Sequence, residues 1–247
     1  MQEIDRHDPD IAIRQQEFEI GLRAIYARVA ARWNDHASEI LEGRCGYSIL
    51  GALPVRKSPL LIIGLNPGYD ADDATMPPHR QTTWPLHAYL DDDRYPLKDR
   101  LKDLLDSDPW RGPLSLALTT NFLFFRSRSL RGDQPAWQQV PLQLRRELQA
   151  FCLGELQELI DLVAPKRILV LGMTAVGQYL YDNQPALQDD KGNWLIAKGH
   201  LWGRPAIGIK HPTGARWTNR DWQRAKIWFS AQIDPTALST DYPAAQL

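Results

Sequence analysis

Cysteine is nearly absent from this 247-residue chain: Cys45 and Cys152 are the only two. Two thiols cannot build a disulfide framework, a four-thiolate zinc site or a four-thiolate iron-sulfur cluster, and their scarcity fits a reducing, cytoplasmic setting. Six histidines (His7, His36, His79, His87, His200 and His211) show no metal-ligand spacing, so neither a metal nor another cofactor is expected. No apolar run approaches the roughly 18 residues that span a bilayer, and the opening MQEIDRHDPD is polar and acidic, so no membrane partner is expected. The chain has no G-x-S-x-G, no GxxxxGK[ST] and no G-x-G-x-x-G, which removes the usual signs of a hydrolase elbow, a P-loop and a dinucleotide fold. Strong net charge is missing too: at −1 the chain is not one that coats nucleic acid by bulk electrostatics. Asp70, Asp72 and Asp73 with Asp91, Asp92 and Asp93 suggest a magnesium nuclease, but Asp runs in loops are more often solvated or capping, and that reading is set aside.

What is present is ample apolar material, 43% hydrophobic residues with nine Trp, enough for a packed core. The length is compatible with two small domains, but α/β units of this size are commonly one, and a single domain, monomeric, is expected over residues 1–247. It comprises an N-terminal helical extension over about 1–50, a core over about 59–233 and a frayed tail over 234–247. Apolar residues at helical spacing predict a helix from Pro9 to Trp33. Four apolar runs predict buried strands: Pro59–Gly68, Ser115–Phe125, Lys166–Gly172 and Pro205–Pro212. Helices are expected around Leu97–Leu105, Pro141–Val163, Met173–Tyr181 and Thr218–Ile233. Strands alternating with helices imply an α/β protein: a three-layer α/β/α sandwich with a central, mainly parallel four-stranded sheet. Ligands of such sheets bind outside the strand C-termini.

Three of the predicted strand ends carry a polar group that packing does not require: Asn66 in GLNPG, Asn121 in TTNF and His211 in HPTG. With these motifs in this order, the chain resembles the uracil-DNA glycosylase superfamily, on GLNPG (Gly64–Gly68), HPTGARW (His211–Trp217) and LVLGMTAVG (Leu169–Gly177). The resemblance covers roughly Pro59 to Ser230. It implies a monofunctional DNA glycosylase of base excision repair that hydrolyses the N-glycosidic bond of uracil or a related damaged base. Its partner would be DNA containing a deaminated or damaged base.

By that resemblance Asn66 and His211 are the catalytic pair. Asn66 lies where the family holds its water, and its amide oxygen accepts from water without taking a proton. His211 matches the imidazole donor to the departing base, assisted by Thr213. The resemblance places the base against Gly64, Leu65, Gly68, Tyr69, Trp84, Asn121 and Thr213. Asn121 reads uracil through acceptance from N3–H and donation to O4, a pattern that cytosine reverses. Gly68 stands where some relatives carry a Tyr that blocks the thymine methyl, which implies tolerance of 5-substituted bases. Trp84 lies in the segment of the stacking aromatic, with Tyr69 and Phe124 as rivals. Ala215 occupies the first wedge position, so Arg216 or Trp217 would have to fill the vacated stack.

Between Lys191 and Ser230 eight Lys or Arg face one acid, Asp221, about +7, while Asp70 to Asp108 holds ten Asp against five basic residues. The basic segment is expected to meet phosphate, with Lys210, Arg216, Trp217 and Arg220 as DNA contacts. The alternative function is a non-catalytic protein of the same fold that binds a nucleobase, a nucleotide or modified DNA. A further alternative is an unrelated α/β enzyme acting on a small nucleotide or sugar.

Overall fold

Helix α1 (Pro9–His36) turns one apolar stripe inward, with Phe18, Leu22, Ile25, Tyr26, Val29 and Trp33 all buried at the three- and four-residue steps of a helix face. The computed structural model describes residues 9–37, 46–68, 79–91, 96–107, 109–126 and 140–232. The tail from residue 234, Tyr69 and Cys45 lie outside them.

The stripe of α1 packs on α4 (Leu142–Val163). Helix α4 starts after Pro141, whose missing N–H costs nothing at a helix start. It stops at Ala164, left-handed at φ 49°, just before Pro165, which disfavours helical backbone in the residue it follows. Arg28 of α1 grips Glu155 of α4 through two guanidinium nitrogens, Nε and Nη2, at 2.7 and 2.8 Å.

Between the two lie β1 (Gly46–Tyr47), β2 (Leu61–Gly64), β3 (His79–Arg80), α2 (Pro96–Leu104), α3 (Arg111–Ser115) and β4 (Leu118–Asn121). After α4 come β5 (Ile168–Leu171), α5 (Met173–Tyr179), β6 (Tyr181–Gln188), β7 (Trp194–Leu201), β8 (Arg204–Ile209) and α6 (Asn219–Ser230). Six strands form one sheet in the order β4-β2-β5-β8-β7-β6. The first four are parallel, in register Ile62↔Thr119, Ile62↔Leu169 and Leu169↔Ile207. Every residue of β5 is buried, as a continuous Ile-Leu-Val run requires when both faces are covered. The chain runs from β2 outward to β4, then crosses back over β2 to β5 and onward to β8. The order therefore reverses at β2, and the crevice of such a sheet opens outside the C-terminal ends at that switch point.

The sheet thus has six strands rather than the four expected. The four predicted strands form its parallel part, and an antiparallel pair, β7 and β6, extends it. The turn between β7 and β8 places Trp202 and Gly203 at φ 46° and 76°, the left-handed pair that matches hairpin twist. The β6–β7 turn is closed by Asp189, whose Oδ1 accepts from the backbone of Lys191 and Asn193 at 2.9 and 2.8 Å. At the opposite edge β4 is covered by residues 46–51. Ser48 N–H donates to Phe124 O and Gly51 N–H to Thr119 O, both at 2.9 Å. Gln81 pins that strap: its Oε1 accepts from Ile49 and Leu50 at 2.6 and 2.9 Å.

Candidate functional site

The parallel register brings the three polar strand ends to one edge. Gly64, the last residue of β2, is directly opposite Asn121, the last of β4. Pairing continues beyond the strands, with Phe122 N–H on Gly64 O at 2.9 Å and Leu123 N–H on Leu65 O at 3.0 Å. Asn66 and Asn121 are thereby held on neighbouring chains. On the other side of β2, β5 ends at Leu171 opposite Ile209 of β8, and Gly172 N–H donates to Ile209 O at 2.7 Å. Gly172 turns at φ 96°, a region that L side chains avoid, and a Cβ there would lie 3.9 Å from the Cβ of His211. Asn121, Asn66, Gly172 and His211 thus follow one another along the C-terminal ends of β4, β2, β5 and β8.

His211 is half-buried, and burial lowers its pKa from the usual histidine value. Its Nδ1 accepts the backbone N–H of Gly214 at 2.8 Å and faces that of Thr213 at 3.4 Å. An Nδ1 that accepts carries no proton, so the neutral ring keeps its proton on Nε2. Protonating Nδ1 would also break the Gly214 bond. Burial and geometry therefore both favour a neutral imidazole with one donor, Nε2–H. Thr213 Oγ1 also lies 3.4 Å from Nδ1, so Thr213 belongs to the His211 loop.

The half-buried Asn121 side chain makes no hydrogen bond to any described residue, and its Oδ1 lies across Gly64. The Asn66 Nδ2 donates to Pro67 O at 3.1 Å. Gly68 is exposed, with no described residue within 4 Å of where a Cβ would stand. Its carbonyl accepts from Arg126 Nε at 2.9 Å, a clamp that sequence reasoning missed, as it missed Gly172 and the Gly214 amide. Only the glycines left a signal, each at the turn that follows a strand.

Three of the expected groups have close neighbours. Trp84 packs on α1: Tyr26 meets its ring edge-on at 6.0 Å, and the Arg23 guanidinium lies 5.4 Å from its centroid. These two neighbours come from α1, and the Trp84 ring is half-buried. Its rival Phe124 is wholly buried, while Tyr69 lies outside the described residues. Trp217, expected as a wedge, is held on several sides. Its indole N–H donates to His211 O at 3.1 Å, its ring meets Trp222 at 5.0 Å and 87°, and Lys210 Nζ stands 5.5 Å from its centroid.

In the basic segment four of the eight cationic side chains have acidic partners. Arg204 pairs with Asp161 at 2.9 Å, Arg220 with Asp190 at 2.6 Å and Lys226 with Asp103 at 2.6 Å. Arg224 sits 3.6–3.7 Å from Asp221 and Asp190. Arg216 is exposed and has no partner among the described residues.

Cys152 is buried in the core, and burial pushes its thiol up to about 12, which leaves it an unreactive packing group. Among the described residues no cluster of three or more metal-ligating side chains occurs, and no helix is long and apolar enough to cross a membrane. The chain matches no protein-family model and no curated protein.

Proposed function

We propose that this chain is a monofunctional DNA glycosylase that hydrolyses the N-glycosidic bond of uracil or a related damaged base, on a three-layer α/β/α scaffold. The observation that carries the reading is His211: a half-buried imidazole whose Nδ1 is engaged by backbone donors, so that its one donor is Nε2–H. A group of this kind suits a base that leaves with negative charge, because it stabilises that charge without having to surrender a proton.

Asn121 and His211 stand three inter-strand steps apart, about 14 Å at ~4.8 Å per step, a gap that two side chains and one pyrimidine ring fill. In the proposed reaction the Asn66 amide oxygen accepts a hydrogen bond from a water. The water oxygen forms a bond to sugar C1′, the C1′–N bond breaks and its electron pair leaves with the base. The Nε2–H of His211 donates to the base oxygen, and the proton of the attacking water passes to solvent. Asn66 and His211 are both neutral, so catalysis rests on positioning and electrostatics. The absence of a side chain at Gly68, with no described residue within 4 Å of a Cβ position there, supports acceptance of 5-substituted pyrimidines. Arg216, exposed within the His211 loop, is the side chain suited to fill the vacated stack or to contact phosphate.

A panel of oligonucleotides carrying single lesions, in single and double strands, incubated with the protein and then with alkali, tests this reading. Strand breakage at one lesion supports it; binding without breakage at any lesion overturns it. A second reading, a nucleobase or nucleotide binder without hydrolysis, is favoured by the ion pairs that neutralise Arg204, Arg220, Arg224 and Lys226. Retention of uracil-containing DNA with no base released would support it.

A further inference from the structure

We propose that Trp217 is a positioning residue for His211, locking the loop that holds the imidazole in its Nε2–H form. This deepens the reading of His211 as the donor to the departing base. The loop from His211 to Trp217 is closed at both ends on one residue. Gly214 N–H donates to the His211 ring at 2.8 Å, and Trp217 Nε1–H donates to the His211 carbonyl at 3.1 Å. That carbonyl belongs to the peptide leading into Pro212. Proline fixes its own φ, so the orientation of this peptide sets where the Pro212–Gly214 turn goes. The turn in turn sets where the Gly214 amide points. Trp217 therefore acts on the histidine ring through one peptide plane and one turn.

Trp217 is held by a chain of contacts that ends on a different helix. Its ring packs edge-on against Trp222 at 5.0 Å. Trp222, buried in α6, donates its indole N–H to Asp103 Oδ2 at 2.6 Å and lies 4.6 Å under the Arg100 guanidinium. Asp103 and Arg100 both belong to α2, and Lys226 of α6 takes the other Asp103 oxygen at 2.6 Å. Thr218 caps α6 by accepting from Asp221 N–H at 3.1 Å, which fixes the helix start two residues after Trp217. The α2–α6 contact is thereby transmitted to the His211 carbonyl. An edge-on aromatic pair and a charge-assisted hydrogen bond are each strong enough to hold a side chain in one rotamer.

The test is NMR of the histidine rings in ¹⁵N-labelled full-length protein, with His211 assigned by the signal lost in His211→Asn. Wild type should show the Nε2–H tautomer, with protonation only below the ordinary histidine range. Trp217→Phe keeps an aromatic ring against Trp222 but removes the N–H. It should give a mixture of tautomers and raise the protonation midpoint by about half a pH unit, on a chain that still unfolds cooperatively. Trp222→Phe, which frees Trp222 from Asp103, should move both signals the same way by less. A wild-type tautomer and midpoint in Trp217→Phe would overturn the proposal. If Trp217→Phe does not fold, Trp222→Phe decides: a shifted tautomer supports positioning, and an unshifted one contradicts it. These readouts need no base release, so they remain decisive if the glycosylase reading fails.

Discussion

The Asn121 side-chain oxygen lies across the backbone of Gly64, so close that a Cβ on Gly64 would stand 2.5 Å from it. The two residues are opposite each other at the ends of β4 and β2, and the absent side chain of one makes room for the amide of the other. Gly64→Ala should push the Asn121 amide out of place while leaving the strand intact, since Gly64 is not among the residues with left-handed backbone. Base release should fall about tenfold or more, equivalent to ~1.4 kcal/mol, with unfolding by urea changed little. An unchanged rate would show that the Asn121 amide does not read the base.

Gly214 stands in the same relation to His211, where a Cβ would lie 2.9 Å from Nδ1. Gly214→Ala should displace the ring and cost at least as much activity as Gly64→Ala, measured in the same assay.

The pH dependence follows from burial of His211, which lowers its pKa. The ring stays neutral at pH values where a solvent-exposed histidine is half protonated. Base release should therefore be flat from the alkaline side down through the ordinary histidine range, and should fall only as pH passes below the lowered value. The stability contribution has the same sign: it is fully present above the unfolded-state pKa of about 6.5 and is lost as pH falls through the folded one. Rates and urea midpoints between about pH 5 and 8 check both; a loss of rate centred at or above 6.5 contradicts the assignment.

Much of the fold was legible because the four parallel strands are apolar runs ending in turn residues, and Ile168–Leu171 needs no context to be read. The strands β6 and β7 were not legible. Tyr181–Gln188 is polar, largely exposed and interrupted by Pro185, which a strand tolerates only at an edge. Asn66, Asn121 and His211 could be picked out because each ends such a run. Their setting could not: the acids that neutralise Arg204 and Lys226 are Asp161 and Asp103, 43 and 123 residues away in the chain, beyond any local charge count. The neighbours of Trp84 were equally out of reach, because Arg23 and Tyr26 come from α1.

Arg216 and Arg224 should separate cleanly. Arg216→Ala should slow base removal from duplex DNA more than from single strands, where no extrusion from a stack is needed. Arg224 is already paired with Asp190 and Asp221, so Arg224→Ala should change both equally or neither. Single-turnover rates on matched substrates check this. Equal losses for Arg216→Ala would make it a phosphate contact only, with the salt slope reduced by about one.

The N-terminal helix is tied to the core through Arg28 and Glu155. Arg28→Ala would leave the nearly buried Glu155 carboxylate without its bidentate partner. Breaking a fully buried pair costs 3–5 kcal/mol; with the Arg28 side chain 41% exposed, about 2 kcal/mol is expected. Urea unfolding measures it, and a loss below about 0.5 kcal/mol would mean that α1 docks by apolar packing alone.

The most direct test of the proposed site is single-turnover base release from one lesion-bearing single strand by wild type, Asn66→Ala, Asn121→Ala and His211→Ala. Wild type should release the free base and leave an alkali-labile site. Each variant should lose rate, His211→Ala by about 10²–10³-fold, as expected for removal of one donor to developing negative charge. Variants as fast as wild type, or a wild type that releases no base from any lesion, would contradict it.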